Sequence, residues 1–286
     1  MSNSIMLKPG DRDYPQKILE FVRDHKDLYY IGRKELLEKP AIAIVGSRRC
    51  TRYGLSVTKE IASRAASRGI VVISGIAKGI DACAHRSVLE KCGDTIGVTA
   101  GGINYVYPKE NKDIYDAIKQ KGLLLSEHSG EHMPARYDFP TRNRIISALA
   151  DAVVVVEATT RSGSLITAEC AVEQGKPVYA VPGNITSVYS MGTNKLIREG
   201  ARALALIDDI FENLKVEAEA QDRDVKLGED ERRIYDYLFK NGETSMQELA
   251  HSSMMDMGMV NSIVTILEMK GMVYCEMGKV ILANFS

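Results

Sequence analysis

The sequence lacks a hydrophobic run long enough to cross a bilayer, because its apolar stretches are no longer than that at Ala152–Val156. Its first ten residues lack an apolar run behind a basic start, so no secretory leader is expected. The 5 cysteines are scattered, and no two form a Cys-x-x-Cys pair. This odd number favours reduced thiols over disulfides or a zinc site. We therefore expect a cytoplasmic protein without a membrane span.

Two common nucleotide-binding motifs are also absent. No G-x-x-x-x-G-K-[ST] sequence occurs, which argues against a P-loop ATPase. The apolar run that ends at Val45 is not followed by G-x-G-x-x-G, which weakens the case for a dinucleotide. No cofactor is expected.

The formal net charge of −1 is divided unevenly along the chain. Residues 41–214 carry 21 lysines and arginines against 18 acidic residues, whereas residues 229–286 carry 5 against 9. A polyanion should therefore bind the middle of the chain rather than its end.

Short apolar runs alternate with amphipathic segments from Ala41 onward, and several are apolar throughout, as in strands buried on both faces. The predicted strands are Ala41–Val45, Ile70–Ile73, Thr95–Val98, Leu123–Leu125, Ala152–Val156 and Pro177–Val181. The predicted helices between them are Tyr53–Ser67, Asp81–Lys91, Lys112–Gln120, Asn143–Ala150 and Leu165–Gln174. This alternation predicts an α/β fold with a doubly wound parallel sheet.

Four segments are expected along the chain. Residues 1–40 form a lead-in with one helix that packs on the core, and residues 41–214 form the α/β domain. Residues 215–228 are polar and predict a flexible linker. Residues 229–286 predict three helices and a hairpin, the layout of a small winged-helix domain, with Ser245 capping the second helix and the third helix at Val260–Lys270.

Several loops that follow predicted strands carry groups suited to phosphate. In a doubly wound sheet, ligands bind beyond the carboxyl ends of the strands. Glycines permit close backbone approach, hydroxyls donate hydrogen bonds, and lysine and arginine supply positive charge. The candidate residues in these loops are Gly46, Ser47, Arg48, Ser74, Gly75, Lys78 and Lys109.

Two predicted helix starts add further candidates. The first carries Arg142, Asn143 and Arg144, and the second carries Ser162, Gly163 and Ser164. The free N–H groups and the dipole at a helix start favour anions. A nucleic-acid backbone offers a row of phosphates, which suits several separated anion sites. Tyr105, Tyr107 and Phe139 could stack unpaired bases, with core packing as the alternative for Phe139.

Four motifs make the sequence similar to the DNA-processing protein A family (DprA/Smf) over roughly Asp11 to Leu214. The motifs are Ala43–Arg48, Ser74–Asp81, Phe139–Ser147 and Ser162–Thr167. The resemblance implies an extended Rossmann-like domain that forms a homodimer and binds single-stranded DNA without sequence preference. It further implies protection of incoming DNA in natural transformation and loading of a RecA-type recombinase, with no catalysis. By the same resemblance, Arg48 and Lys109 belong to the DNA pocket.

The chain departs from the family pattern in two respects. Longer members begin with a small helical domain that this sequence lacks. The third helix of the predicted winged-helix domain has hardly any lysine or arginine, which favours a protein contact over a DNA contact.

Alternative functions have weaker support. The segment from Arg161 to Glu169 distantly resembles the loop of nucleoside-monophosphate phosphoribohydrolases, but its Gly-Gly pair is missing. A transcription regulator would use the C-terminal module, whose acidic charge argues against duplex binding. His128 and His132 have metal-ligand spacing only on a helix, which Ser129-Gly130 interrupts, so a solvated loop and no metal are predicted. His85 is expected to be a packed residue rather than a catalytic base.

Overall fold

A computed structural model describes residues 4–212, 214, 227–270, 272–276 and 278–282. The chain divides into two compact units between residues 218 and 219. Within the described residues, each unit has its own hydrophobic core. The predicted linker, residues 215–228, lies outside the described residues except for its last two positions.

The first unit contains nine strands and eight α-helices in its described residues, with short 3₁₀ turns at Lys34–Glu38 and Lys109–Asn111. In chain order they are β1 (Ile5–Leu7), α1 (Gln16–Phe21), β2 (Leu28–Gly32), β3 (Ala41–Val45), α2 (Arg52–Ser67), β4 (Val71–Ser74), α3 (Ile80–Glu90), β5 (Thr95–Val98), α4 (Lys112–Lys121), β6 (Leu123–Ser126), α5 (Asp138–Leu149), β7 (Ala152–Val155), α6 (Ser164–Glu173), β8 (Val178–Ala180), α7 (Met191–Arg198), β9 (Arg202–Ala203) and α8 (Asp209–Glu212).

All nine strands form one sheet in the order β1-β2-β6-β5-β4-β3-β7-β8-β9. The strands from β3 to β9 are parallel, whereas β1 and β2 are antiparallel at one edge. The register aligns Ala43 with Ile73 on one side and with Val153 on the other. Strands β4 to β6 are therefore added on one side of the central strand β3, and strands β7 to β9 on the other side. This order confirms the doubly wound, Rossmann-like fold.

Apolar residues on the central strands alternate between two cores. Ala43 and Val45 pack into the core on one face of the sheet, while Ile42 and Ile44 pack into the core on the other face. This alternation follows from the two-residue period of a strand. Because both faces are covered, β3 and β7 are apolar at every position, as the sequence predicts.

The lead-in is part of the first unit's core and sheet. Leu7 on β1, Ile18 on α1 and Leu28 on β2 are buried in the same core as Ala43. Strand β2 pairs with β6, aligning Tyr30 with Leu125, and thereby extends the sheet. The sequence predicts one helix here and does not predict these two strands.

Helix α5 begins at Asp138, five residues before the predicted start at Asn143. The carboxylate of Asp138 accepts a hydrogen bond from the Ala135 backbone N–H at 2.8 Å, which orders the entry to the helix. Pro140 is the third helical residue, where an N–H has no intrahelical acceptor and a proline is tolerated. Arg142, Asn143 and Arg144 therefore lie in the second turn, and the prediction that they stand at a helix start is wrong.

The second unit contains three helices and a small antiparallel sheet among its described residues. They are α9 (Glu229–Asn241), β10 (Thr244–Ser245), α10 (Met246–Ser253), α11 (Met257–Met269), β11 (Val273–Glu276) and β12 (Lys279–Leu282), with the strand order β10-β12-β11. The Ser245 hydroxyl caps α10 by accepting from the Glu248 N–H at 3.3 Å, as predicted. Helix α11 begins three residues before its predicted start because Asp256 caps it. The assignment as a winged helix stays a prediction.

None of the helices within the described ranges has the length and apolar character that crossing a bilayer requires.

His85 on α3 is a buried residue of the first unit. Its Nδ1 lies 2.7 Å from the Thr95 hydroxyl oxygen, and that hydroxyl donates to the Val72 carbonyl at 2.7 Å. The imidazole Nδ1–H must therefore be the donor to Thr95. Burial lowers the pKa of His85 to about 3, which keeps the ring neutral. This side chain is packed and hydrogen-bonded, as expected from the sequence.

The depressed pKa of His85 predicts a pH-dependent stability. Its ordinary pKa is 6.5, so below that pH the unfolded chain binds a proton that the native chain excludes until about pH 3. The contribution of His85 to the free energy of unfolding should be fully present above pH 6.5, and the free energy should fall by up to about 1.4 kcal/mol per pH unit below it. Urea unfolding at several pH values measures this slope. His85→Leu should lose this contribution, whereas His251→Leu, an exposed position, should keep it. Equal slopes in wild type and His85→Leu would contradict the prediction.

Candidate nucleic-acid interface

The carboxyl ends of the parallel strands meet at one edge of the sheet. The loops after β3, β4, β5 and β7 all leave the sheet at this edge, because these strands are parallel neighbours. The strand order reverses between β3 and β7, since β4 to β6 lie on one side of β3 and β7 to β9 on the other, and crevices form at such switch points. The edge therefore brings together the loops in which the sequence places its anion-binding candidates.

A crevice of about 600 Å³ opens at this switch point. We call it the switch-point crevice. Its walls are the loop after β3, the start of α6 and parts of α5. Backbone N–H groups at the start of α6 lack intrahelical acceptors and favour anions. The predicted site residues that line it are Gly46, Ser47, Arg48, Arg142, Asn143, Ser162, Gly163 and Ser164.

A smaller cavity of about 60 Å³ adjoins the crevice, and we call it the aromatic pocket. Gly75, Lys78, Tyr107 and Phe139 are among its lining residues, and Arg48 lines both cavities. The rings of Tyr107 and Phe139 lie 5.6 Å apart between centroids. The Arg48 guanidinium lies 5.4 Å from the Phe139 centroid. The pocket thus combines a cation with two ring faces, a combination suited to a stacked base beside its phosphate.

Two tight contacts set the shape of the loop after β3. Buried Glu157, beyond the end of β7, accepts from the Thr51 N–H at 2.8 Å and from the Thr51 hydroxyl at 2.5 Å. Gly79 has a positive φ of 77°, and a Cβ there would lie 2.3 Å from the Ser47 carbonyl oxygen. A side chain at Gly79 would therefore push apart the loops that carry Ser47 and Lys78.

The structure brings ten of the thirteen predicted residues to these two cavities. Ser74, Lys109 and Arg144 are the three that do not line them. Ser74 is buried, and its hydroxyl donates to the Ile44 carbonyl at 2.6 Å, which leaves it no side-chain role at the surface. Lys109 is exposed and directly follows Pro108, a residue of the aromatic pocket.

Arg142, one of the candidate anion-binding residues, is buried rather than displayed to solvent. Its guanidinium donates to the Gly75 carbonyl at 2.8 Å and also to the Val98 carbonyl. A Cβ at Gly75 would lie 2.6 Å from the Arg142 guanidinium, so the glycine makes room for it. Burial raises the pKa of nearby Asp81, and the charge of Arg142 opposes that rise. Arg142 therefore holds α5 against the ends of β4 and β5.

The other two members of the Arg-Asn-Arg sequence also hold α5 in place. The Asn143 amide donates to the Gly163 carbonyl at 3.1 Å, which attaches α5 to the start of α6. Arg144 forms an ion pair with Glu127 at 2.5 Å, on the loop after β6, and Glu127 is only 6% exposed. The charge of Arg144 is therefore neutralised by a carboxylate, and its assignment to nucleic acid stays a prediction.

The accessible cations of the crevice include two that sequence reasoning does not assign. Arg49 and Arg161 are exposed and line the switch-point crevice with Arg48. None of the three forms an ion pair with any residue in the described part of the chain. The sequence signal that could have identified Arg49 and Arg161 is their position in the loops after β3 and β7. Lys78 differs from them, because its ammonium lies 2.6 Å from the Glu110 carboxylate.

A model of the DNA recombination-mediator protein A family matches residues 5–215. The chain belongs to this family. It is similar to the DNA processing protein DprA of Bacillus subtilis (strain 168), with 45% identity over 206 residues that span 72% of this chain and 69% of that protein. The family resemblance drawn from the four motifs is thus confirmed. The match covers the first unit and ends before α9.

Two solved structures of DNA processing protein A resemble the chain. The X-ray structure from Streptococcus pneumoniae aligns with a TM-score of 0.70 and 38% identity over 74% of both chains. A structure from Helicobacter pylori, which concerns the single-stranded DNA binding mode of that protein, aligns with a TM-score of 0.66 and 32% identity. That alignment covers 73% of this chain and 94% of the other.

The buried position of Arg142 predicts that lysine cannot replace it. Arg142→Lys keeps the charge but cannot hold both carbonyls with a planar fork, so it should lose about 1.5–3 kcal/mol of unfolding free energy. The matched control, Arg48→Lys, is exposed and should change it by less than about 0.5 kcal/mol. Urea-unfolding midpoints measure both. Equal stability of the two variants would show that Arg142 does not hold the sheet edge together.

Proposed function

We propose that the first unit binds single-stranded DNA along the switch-point crevice and the aromatic pocket. The observation that carries this proposal is a group of three arginines, Arg48, Arg49 and Arg161, that form no ion pair with any described residue. They lie beside the rings of Tyr107 and Phe139. The similar Helicobacter pylori protein, described by its single-stranded DNA binding mode, supports the same ligand.

The two cavities suit different parts of a nucleotide. The arginines and exposed Lys109 would neutralise phosphates, while Ser162, Gly163 and Ser164 would contribute groups at the start of α6. Tyr107 and Phe139 would stack on bases. Since every base has a ring face, this arrangement would bind DNA with little sequence preference. We assign no chemical step to the site and propose a binding protein rather than an enzyme.

We propose that DNA binding serves recombination, in keeping with the family of mediators to which the chain belongs. The protein would cover incoming strands in natural transformation and help load a RecA-type recombinase on them. A cytoplasmic location would follow from that role.

A homodimer through the first unit is also proposed. Ile185, Val188, Met191 and Leu206 are large apolar residues left exposed on the part of the chain that surrounds α7 and β9. Strand β9 ends the sheet and exposes both of its residues. An apolar patch beside a sheet edge is typical of an interface. Pairing two chains there would give a long strand two binding grooves and raise its affinity.

The second unit is proposed to contact protein rather than DNA. Helix α11, the third helix of the unit, contains no lysine or arginine from Met257 to Met269. A helix that enters a DNA groove needs cations for the phosphates on either side. The net negative charge of residues 229–286 likewise disfavours contact with DNA.

The alternative of a nucleoside-monophosphate phosphoribohydrolase gains no support from the geometry. Glu169 is exposed on α6 and, within the described residues, is not among those that line the crevice. A catalytic carboxylate would have to reach the bound sugar.

Removal of two proposed phosphate contacts should weaken DNA binding. Arg48→Ala/Lys109→Ala should raise the Kd for a fluorescent oligo-dT at least about tenfold, and it should reduce the slope of log K against log salt by about 0.7 for each lost contact. Fluorescence anisotropy at several salt concentrations measures both quantities.

The matched control is Lys91→Ala, an exposed cation at the end of α3, away from the carboxyl edge of the sheet. This variant should bind as wild type does. If the double variant retains wild-type affinity and salt slope, these residues do not form the site.

Release of Lys78 from its ion pair should strengthen DNA binding. Glu110 pairs with Lys78 at 2.6 Å and would compete with a phosphate for it. Glu110→Gln should lower the Kd for oligo-dT by a factor of roughly two to five at low salt. Glu60→Gln removes an exposed helical ion pair with Arg64 and is the matched control. It should leave the Kd for oligo-dT unchanged. Unchanged affinity of Glu110→Gln would show that Lys78 does not contact the DNA.

A further inference from the structure

Three metal-ligating side chains meet on the loop that joins β6 to α5. His128 Nε2 lies 3.6 Å from one carboxylate oxygen of Asp138, and His132 Nε2 lies 3.2 Å from the other. The two imidazole rings are stacked with centroids 4.1 Å apart. One ligand atom from each of the three residues lies within 4.8 Å of the other two. Two imidazoles and a carboxylate are thus gathered around one point.

These distances are close to those required by a bound zinc ion. Zinc bonds to histidine nitrogen and carboxylate oxygen are about 2.0–2.2 Å long, so neighbouring ligands in a tetrahedron lie about 3.3 Å apart. The nitrogen–oxygen distances of 3.6 and 3.2 Å run to different oxygens of the Asp138 carboxylate, and both are close to that length.

Two of the proposed ligands are open to solvent and the third is held by a hydrogen bond, as a metal site requires. The side chains of His128 and His132 are 32% and 38% exposed, so an ion can enter from solvent. Asp138 is buried and is held by the Ala135 N–H at 2.8 Å, which fixes its carboxylate at the start of α5. A carboxylate fixed by a second hydrogen bond is a pre-oriented ligand.

We propose that His128, His132 and Asp138 form a site for a divalent transition-metal ion, with zinc as the best fit. The donor set of two nitrogens and one oxygen suits zinc, cobalt or nickel and does not suit the all-oxygen preference of magnesium or calcium. Three protein ligands leave a fourth position for water. The site is separate from the cations assigned to DNA.

A bound ion would brace the wall of the aromatic pocket. The histidine loop is attached by hydrogen bonds from the Ile103 N–H to the His128 carbonyl at 3.0 Å and from the Gly102 N–H to the His132 carbonyl at 2.8 Å. Asp138 immediately precedes Phe139, which lines the pocket. The ion would therefore connect the loop after β5, the histidine loop and the start of α5. Its effect is on the rigidity of the unit and does not require contact with DNA.

The proposal is tested on the whole 286-residue chain after treatment with a chelator. Titration with Zn²⁺ should show one ion per chain by calorimetry, and Co²⁺ should give the visible absorption of a low-coordinate nitrogen and oxygen site. Zn²⁺ should raise the melting temperature of wild type, and excess chelator should reverse the rise. His132→Ala should lower the Zn²⁺ affinity at least about 100-fold, since even second-shell changes cost 10- to 100-fold.

His251→Ala is the matched control, because this exposed histidine belongs to the second unit and should leave the stoichiometry and affinity unchanged. His128→Gln repeats the test with a milder substitution, and circular dichroism establishes that each variant folds. Absence of a stoichiometric ion in wild type would overturn the proposal. So would wild-type affinity in His132→Ala and His128→Gln, which would place the ion on other groups such as the free thiols.

Discussion

The buried guanidinium of Arg142 is the contact on which the carboxyl edge of the sheet depends. It joins α5 to the backbone at the ends of β4 and β5 through the Gly75 and Val98 carbonyls. A buried charge of this kind is tolerated only with hydrogen-bond partners and a nearby opposite charge, which Asp81 supplies. The absence of a side chain at Gly75 is a condition of the contact, because a Cβ would occupy the place of the guanidinium.

Its two neighbours extend the same role to other loops. Asn143 attaches α5 to the start of α6, and Arg144 attaches it to Glu127 after β6. One turn of helix is therefore connected to the loops that follow β4, β6 and β7 and to the last residue of β5. This arrangement explains how loops far apart in sequence can form a shaped crevice, since ligand sites need a rigid support beneath their contact residues.

The arginines named at the carboxyl edge of the sheet consequently divide into two groups. Arg142 and Arg144 are satisfied by protein carbonyls or a carboxylate, whereas Arg48, Arg49 and Arg161 remain exposed at the crevice. Of these arginines, only the second group can exchange counterions for phosphates without breaking the fold. The proposed metal site would add a further constraint at the wall of the aromatic pocket, because Asp138 lies at the start of α5, the helix that Arg142 secures.

The sequence by itself determined the α/β class, six of the seven described strands of the parallel sheet, the family and the sheet edge at which most of the candidate residues lie. These features follow from local patterns, namely apolar runs of strand length and glycine-rich loops after them. It did not reveal that β1 and β2 extend the sheet, that α5 begins at Asp138, or that His128 and His132 face Asp138. Which arginines are buried was decided only by the tertiary structure, because the charge of a side chain is visible in a sequence while its partners, such as Gly75 and Glu127, come from distant strands.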